Sequence, residues 1–312
     1  MSTRKKISIV TPCFNEEANV EELYARVKKE IEALKAYDYE HIFIDNASKD
    51  RTVELLRGLA ARDPRVKVIV NSRNFGHIRS PYYGFLQATG DAVMLMVADL
   101  QDPPELIPKF VAEWEKGFKV VIGVKDHSEE TAGMFAMRSL YYRIVASIAD
   151  VELKKNYTGF GLYDAQVVDV LRKIDDPYPY FRGLVFEVGF DKAVITYTQP
   201  VRKRGISANN FYTLYDMAML GITSYSKVPL RLATMFGFVM SILSFLVSGG
   251  YFVAKLMYWD SIPFGFAPLL IGVFFFGSVQ LFFIGLIGEY IGFIHTQVLK
   301  RPLVVERERI NF

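Results

Sequence analysis

Four short polar segments contain the residues whose types could do chemistry on a charged substrate. They begin at Thr11, Asp45, Asn71 and Ala98, and each follows a short apolar run. Their carboxylates and amides can hydrogen-bond a base or a ribose, or hold a divalent cation that neutralises a diphosphate. Asp99 is the strongest candidate, because it directly follows an apolar run, where an unpaired carboxylate is costly.

Structural explanations compete with chemistry at three of these places. Asp50 and Asp102 each precede a predicted helix, and a carboxylate there can cap the first turn. The triplet Asn74-Phe75-Gly76 is typical of a simple turn as well as of a binding loop. The sequence leaves both interpretations open for these residues.

An alternation of strands and helices over the first 200 residues positions the polar segments. Between the first two predicted strands, Val20, Leu23, Val27 and Ile31 recur at helical spacing on one face. Alternating units of this kind favour an α/β fold with a mostly parallel sheet, whose ligands bind at the carboxyl ends of the strands. The predicted strands are Ile7–Thr11, His41–Asp45, Val66–Val70, Ala92–Ala98 and Lys119–Gly123.

Two long uncharged runs follow, Leu232–Ala254 with 23 residues and Ser261–Gly288 with 28. Each exceeds the roughly 20 apolar residues that cross a bilayer. Their length disfavours the alternative of two buried helices in a soluble core. Lys227 and Arg301 lie on the outer flanks, so the positive-inside rule predicts a transmembrane hairpin in the plasma (inner) membrane, with both chain ends cytoplasmic.

The segment before the hairpin has its own pattern. Phe211, Leu214, Tyr215 and Ile222 predict an amphipathic helix at the membrane surface, and a helix packed on the soluble domain is the alternative. The chain then divides into a catalytic domain (1–204), a juxtamembrane region (205–228), the hairpin (229–292) and a cytoplasmic tail (293–312).

Small residues run along the second predicted span. Gly285, Gly288 and Gly292 permit close helix contact, either within the hairpin or between protomers, so a homo-oligomer is expected. The net charge of +3 is too small to predict a nucleic-acid partner. The single cysteine, Cys13, excludes an internal disulfide and agrees with a reducing compartment.

Ordered motifs extend over nearly the whole chain. They are Pro12-x-Phe14-Asn15-Glu16, Asp45-Asn46-Ala47-Ser48-x-Asp50-x-Thr52, Asn74-Phe75-Gly76 and Asp99-Leu100-Gln101-Asp102-Pro103-Pro104. Further matches continue from Gly205 to Arg301-Pro302. This ordered set resembles the family-2 glycosyltransferases of GT-A, Rossmann-like fold, and more closely the polyprenyl-phosphate glycosyltransferases, which include bactoprenol glucosyltransferases and dolichyl-phosphate mannose synthases.

The resemblance implies roles for individual residues. It places Asp99 at the catalytic centre and implies a Mg²⁺ or Mn²⁺ ion at Asp99 and Gln101. The nucleotide would be held by Pro12, Phe14, Glu16, Asp45 and Asn46. Basic residues near the membrane are expected to hold the acceptor phosphate, with a solvated surface charge as the alternative for each: Lys125, Arg138, Arg182 and Arg202.

The sequence departs from the family pattern at four ligand positions. Val97 replaces the first acid of the Asp-x-Asp-x-Gln motif, Asn46 replaces a second aspartate, Gly159 replaces another acid, and Ala208 replaces a lysine. These departures motivate an alternative function, a membrane-tethered nucleotide-sugar-binding protein without catalysis. A processive polysaccharide synthase is disfavoured, because the chain has no Gln-x-x-Arg-Trp segment.

The implied function is a single, inverting sugar transfer to polyprenyl (undecaprenyl or dolichyl) phosphate. The donor would be a UDP- or GDP-sugar, with UDP-glucose favoured, and the product a lipid-linked sugar for cell-envelope glycan modification. The implied partners are the nucleotide sugar, the polyprenyl lipid, the membrane and further copies of the chain, since the resembling family includes tetramers.

Overall fold

An eight-stranded sheet with helices on both faces organises the part of the chain that the computed structural model describes, residues 4–126, 154, 156–200, 219–223, 226–258 and 265–312. The strands are β1 Lys5–Cys13, β2 Tyr37–Asp45, β3 Val66–Asn71, β4 Ala92–Leu95, β5 Val120–Lys125, β6 Tyr157–Asp164, β7 Lys192–Tyr197 and β8 Glu306–Ile310. The helices are α1 Val20–Ala33, α2 Thr52–Arg62, α3 Gly76–Leu86, α4 Ile107–Glu115, α5 Ala165–Arg172, α6 Phe181–Glu187, α7 Val228–Met257 and α8 Phe266–Leu299.

The strand order is β7-β5-β6-β4-β1-β2-β3-β8. Only β6 and β8 of these eight described strands run antiparallel to their neighbours, which confirms the predicted mostly parallel α/β sheet. The prediction for the fourth strand was too long. Pairing of β4 with β1 ends at Leu95, and after a last ladder bond from Met96 the chain turns away to form the loop that contains Asp99.

Both faces of the sheet are covered by apolar side chains. Ile7 and Ile9 of β1 point to one face, where they pack with α1, α2 and α4, while Val10 points to the other, against α3, α5 and α6. This alternation follows from the two-residue period of a strand. The four periodic residues of α1 are all buried, as predicted: Val20, Leu23, Val27 and Ile31.

Helices α7 and α8 are long and apolar enough to cross a membrane. Their large apolar side chains face outward, with Phe245 77% and Phe274 74% exposed, and an extended apolar surface of this kind marks a contact with lipid or with protein. The two helices touch where the rings of Phe236 and Phe283 lie 5.8 Å apart. Helix α8 continues beyond Gly288, where the predicted span ends, to Leu299.

The glycines of α8 do not mediate contact with α7. A Cβ atom placed on Gly285, Gly288 or Gly292 would meet no heavy atom of the described residues within 4 Å. Of the two contacts that the sequence allowed for these glycines, the one within the hairpin is therefore absent from the described residues. Contact between protomers stays a prediction.

The end of α8 is attached to the α/β domain through the loop before α6. The Gln297 side-chain amide donates to Asp176 Oδ1 at 2.8 Å, and Lys300 Nζ donates to Asp175 Oδ2 at 2.8 Å. Phe293 packs against a small apolar cluster that contains Tyr180 of the same loop. Leu220, from the described turn 219–223 of the juxtamembrane region, also packs there, whereas residues 205–218 of that region lie outside the described residues.

Strand β8 returns the chain to the sheet directly after α8. It pairs antiparallel with β3, and the pairing is extended by a bond from Ser72 N to Val305 O at 2.8 Å. Asn311, which has a φ of 61°, donates from Nδ2 to the carbonyl oxygens of Ala60 and Val66, both at 2.9 Å. The tail thereby covers an edge strand that would otherwise expose unpaired backbone groups.

The Asn311 contacts predict a measurable share of the stability. We expect Asn311→Gly to lower the free energy of unfolding by about 1–2 kcal/mol, because it removes two hydrogen bonds and leaves the backbone unstrained. Asn311→Ala should lose about 1 kcal/mol more, since alanine disfavours a positive φ. Urea unfolding of the full chain in detergent measures both, with the exposed Arg307→Ala as control. Equal stability of Asn311→Gly and the parent chain would contradict the prediction.

Candidate functional site

A cleft of about 390 Å³ opens at the carboxyl ends of the parallel strands. Its walls come from the ends of β1 and β5, the loop after β4, the start of the antiparallel strand β6, and helices α3 and α6. This is the edge at which ligands of such sheets bind. Five of the predicted site residues line it together: Pro12, Asp99, Gln101, Lys125 and Arg182.

The loop after β4 presents two of these residues by a local turn. Asp99 Oδ1 accepts the backbone N–H of Gln101 at 3.1 Å. Leu100 between them has a φ of 62°, a left-handed conformation that costs a leucine about 1–2 kcal/mol. That conformation lets Leu100 bury its side chain in the core while Asp99 and Gln101 both line the cleft.

Asp102 is a cleft residue that the sequence did not assign to the site. It is only 3% exposed and accepts two hydrogen bonds, from Tyr197 Oη at 2.9 Å and from Val97 N at 3.3 Å. Burial raises its pKa to about 6, although the Tyr197 bond and the charge of Lys125 oppose the shift. The helix-cap interpretation is wrong here, because the helical turn Pro104–Leu106 begins after Pro103 without a side-chain cap.

No local pattern marks the Asp102–Tyr197 pair. The two residues are 95 positions apart, and they meet only because β7 and the loop after β4 reach the same edge of the sheet. The one available signal is the position of Asp102 beside Asp99 and Gln101 in a single motif.

The end of β2 and the loop after it hold two predicted nucleotide-binding residues inside the protein. Asp45 is fully buried and accepts the N–H of Ser48 at 3.0 Å together with the Ser48 hydroxyl. Burial raises the pKa of Asp45, and the Ser48 bonds oppose this shift. Neither Asp45 nor Asn46 lines the cleft, so their contact with a nucleotide stays a prediction.

The side-chain amide of Asn46 ties two loops together. Its Nδ2 donates to Asn74 Oδ1 at 2.9 Å and to Gly76 O at 3.1 Å, and its Oδ1 accepts from Phe75 N at 2.9 Å and Asn71 Nδ2 at 3.2 Å. An ionised aspartate could accept the bonds from Phe75 and Asn71, but it could not donate the bonds to Asn74 and Gly76. The departure from the family motif at this position therefore has a structural reason.

The loop after β1 contributes Phe14 and Glu16 to the same edge, outside the cleft lining. Phe14 is 39% exposed. Glu16 accepts from Asn19 Nδ2 at 2.6 Å, and its backbone N–H donates to Thr52 Oγ1 at 2.8 Å. Asp50 accepts the N–H of Thr52, the first residue of α2, at 3.0 Å, which agrees with a helix-start role.

The four basic residues predicted for an acceptor phosphate divide into two groups. Lys125, the last residue of β5, and Arg182, in the first turn of α6, both line the cleft. The Arg182 guanidinium lies 5.1 Å from the ring centroid of Tyr180, which adds a cation–π contact. Arg138 and Arg202 lie outside the described residues.

Two departures from the family motif make part of the cleft wall apolar. Val97 is 38% exposed and lines the cleft where the motif has an acid. Gly159 has a φ of 105°, a conformation that side-chain-bearing residues rarely adopt, and a Cβ there would lie 3.5 Å from the Phe181 ring. The backbone of β6 itself therefore favours glycine over an acid at this position.

The described residues contain no group of three or more His, Cys, Asp or Glu side chains that could hold a metal ion by themselves. Asp99 and Gln101 supply one carboxylate and one amide oxygen in the cleft. Mg²⁺ typically takes one or two carboxylates together with substrate phosphates. The residues present therefore fit a cation that is held jointly with a diphosphate.

Comparison with known proteins shows similarity over the whole chain. Residues 8–171 match the family described as glycosyl transferase family 2. The uncharacterized glycosyltransferase YkcC of Bacillus subtilis is 36% identical over 98% of this chain and 94% of its own length. The SfII prophage-derived bactoprenol glucosyl transferase of Shigella flexneri is 34% identical over 95% and 96% of the two chains.

Solved structures show a likeness in fold. Glucosyl-3-phosphoglycerate synthase from Mycobacterium tuberculosis, in complex with Mn²⁺, UDP and phosphoglyceric acid, aligns with a TM-score of 0.51. It is 18% identical and covers 70% of this chain and 76% of its own. The likeness supports the GT-A type of α/β sheet.

The buried carboxyl of Asp102 predicts a pH dependence of stability. It keeps its proton to about pH 6 in the folded chain but loses it near its ordinary pKa of 3.8 when unfolded. Between these values the unfolded state binds fewer protons, so the free energy of unfolding falls as pH rises. As pH rises through this range, we expect the free energy of unfolding of Asp102→Asn to decrease by about 2–3 kcal/mol less than that of the parent chain.

Urea unfolding between pH 4 and 7, without nucleotide or divalent metal, measures the effect. Asp38→Asn, which removes an exposed carboxyl at the opposite end of the sheet, is the matched control. Identical slopes for the parent chain and Asp102→Asn would show that Asp102 does not titrate in this range.

Proposed function

Since the chain belongs to glycosyl transferase family 2, we propose that it transfers a single sugar from a nucleotide-diphosphate sugar to a polyprenyl phosphate. UDP-glucose is the favoured donor, because the similar proteins are named glucosyl transferases and the similar fold is solved with UDP. Bactoprenol in the relatives' names supports a polyprenyl acceptor. The product would be a lipid-linked sugar for modification of cell-envelope glycans.

One observation supports a lipid acceptor above all. Tyr180 lines the cleft and forms, with Leu220, the apolar cluster against which Phe293 packs near the end of α8, the second helix that is long enough to span a membrane. A phosphate at the head of a membrane lipid would therefore reach the level of the cleft, while the soluble donor enters from the cytoplasm. This arrangement favours a plasma-membrane enzyme with its α/β domain and its tail on the cytoplasmic side.

The chemistry of the acceptor explains which side chains are needed. A phosphate monoester has a second pKa near 6, so at neutral pH it is largely a dianion and a ready nucleophile. Its oxygen would form a bond to the anomeric carbon as the bond from that carbon to the diphosphate breaks, which inverts the configuration. No general base has to remove a proton, and a glycine at position 159 is therefore compatible with transfer.

Two groups of side chains in the cleft suit the two phosphates of this reaction. The cations of Lys125 and Arg182 can orient the acceptor phosphate. Asp99 and Gln101 can position the leaving diphosphate through a shared Mg²⁺ or Mn²⁺, which when bound neutralises the charge that develops there. Asp102, fixed by Tyr197, holds the backbone of the same loop at Val97.

The role of Asp99 predicts a large loss of transfer. Asp99→Asn keeps the size of the side chain and removes its charge, so we expect the turnover rate to fall about 100-fold or more. The assay measures labelled polyprenyl-phosphate sugar formed from radiolabelled nucleotide sugars, with a chelator and with added Mg²⁺ or Mn²⁺. Asp38→Asn, far from the cleft, should retain activity.

The outcomes of this assay separate two failures. Full activity of Asp99→Asn would remove Asp99 from the mechanism while leaving the function intact. Absence of labelled lipid with every donor and metal would reject transfer to polyprenyl phosphate. Activity that persists with the chelator would reject the shared cation.

The position of Arg182 predicts a selective effect on the acceptor. We expect Arg182→Gln to raise the KM for polyprenyl phosphate about tenfold, because a charge-assisted hydrogen bond is worth about 1.5–3 kcal/mol. The KM for the nucleotide sugar should stay unchanged. Arg62→Gln, an exposed arginine at the far end of α2, controls for the loss of charge. An equal rise in both KM values would instead indicate a general distortion of the cleft.

A further inference from the structure

Two arginines lie over the ring of Phe75, and the charge of a third, beside the end of α8, acts on one of them. We call these three residues the arginine cluster: Arg73, Arg79 and Arg301. Arg73 follows β3, Arg79 lies on α3, and Arg301 comes two residues after the end of α8. The chain segments are adjacent, since Ser72 pairs with Val305. The cluster does not line the cleft, although its neighbours Ile78 and Pro81 on α3 do.

A buried aromatic ring supports two of the three guanidinium groups. The Cζ atoms of Arg73 and Arg79 lie 4.1 Å and 5.5 Å from the ring centroid of Phe75, within the range of cation–π contacts. Phe75 is 7% exposed, and its N–H is held by Asn46. Backbone carbonyls add bonds from Arg73 to Asn74 at 3.0 Å and from Arg79 to Phe75 at 3.4 Å. The Phe75 ring and the neighbouring carbonyl groups therefore hold the guanidinium groups of Arg73 and Arg79 in place.

The arginine cluster has no acidic counterpart within the described part of the chain. No ion pair there involves any of its members, whereas Arg57, Arg65 and Arg309 each pair with a carboxylate. Burial and the nearby charges of Arg73 and Arg301 lower the pKa of Arg79. An arginine nonetheless remains charged in a protein, so three like charges are held together here at an electrostatic cost. A bound anion would offset that cost.

The position of the arginine cluster indicates which anion this is. It lies where α8 ends, the level at which lipid headgroups would meet the protein if α7 and α8 span a membrane, as the proposed function requires. Lys300 beside it is already neutralised by Asp175. Guanidinium groups match the geometry of phosphate oxygens and bind them in pairs of hydrogen bonds.

We propose that Arg73, Arg79 and Arg301 bind the phosphate group of a membrane lipid at a site beside the cleft. The phosphate can belong to an anionic phospholipid of the surrounding bilayer or to a polyprenyl phosphate before it enters the cleft. Both would present the same group to the same three side chains, and binding measurements distinguish the two.

The test uses the full chain in an uncharged detergent. Phosphatidylglycerol, polyprenyl phosphate and, as a zwitterionic control, phosphatidylcholine are titrated separately, and retained lipid is measured by native mass spectrometry. We expect Arg79→Gln and Arg301→Gln each to weaken the binding of phosphatidylglycerol or polyprenyl phosphate about tenfold. Arg79→Lys, which keeps the charge and loses the paired geometry, should fall between Arg79→Gln and the parent chain.

Each outcome decides the proposal. Weaker binding of phosphatidylglycerol alone identifies a bilayer phospholipid, and weaker binding of polyprenyl phosphate identifies the acceptor on its way to the cleft. Binding of both lipids equal to that of Arg62→Gln overturns the site. Arg301 is exposed and makes no ion pair with a described residue, so its variant leaves folding intact. Sugar transfer is not measured, so failure of the proposed function would not affect the result.

Discussion

The short connection between α8 and β8 constrains the whole arrangement. Helix α8 ends at Leu299 and β8 begins at Glu306, so the intervening residues can span only about 25 Å even when extended. Contacts from Gln297 and Lys300 to the loop before α6 hold the same helix end from a second side. That loop continues into the cleft wall at Tyr180. The height of the cleft above any membrane that α8 crosses is therefore set by chain geometry.

Two of the four departures from the family motif have a structural explanation. Asn46 needs its amide because it must donate as well as accept, and Gly159 fits a φ that an acid would adopt only with strain. Neither change weakens the basic side of the cleft, where Lys125 and Arg182 remain. The oxygen ligands that the cleft offers a cation are thus the Asp99 carboxylate and the Gln101 amide. A cleft that offers both basic side chains and ligands for a cation suits a reaction between two phosphate-bearing substrates.

Period and composition were enough to predict the parallel core, the face of α1, and the edge at which the loop with Asp99 lies, because each depends on local spacing. The roles of Gln101 and Lys125 came from the family resemblance instead. The rest depends on distant pairing. Tyr197 reaches Asp102 across 95 residues, and β8, with the sequence Glu-Arg-Glu-Arg-Ile, has no apolar run to mark it as a strand. Its backbone pairs with β3, while two of its five side chains are exposed and the other three are half-buried. Such a strand is specified by its partner rather than by its own residues.

Because β8 follows α7 and α8 in the sequence, the sheet can be completed only after both helices have been synthesised. The edge of β3 gains its neighbour only when residues 306–310 leave the ribosome, after both long helices have been made. A nascent chain therefore carries an incomplete sheet, with an open edge prone to wrong pairing, until α7 and α8 have emerged. If these helices enter the bilayer as they are synthesised, the last strand can join the sheet only from the side of the membrane to which α8 returns. The pairing of β8 with β3 would then require that the hairpin has been inserted in the correct orientation.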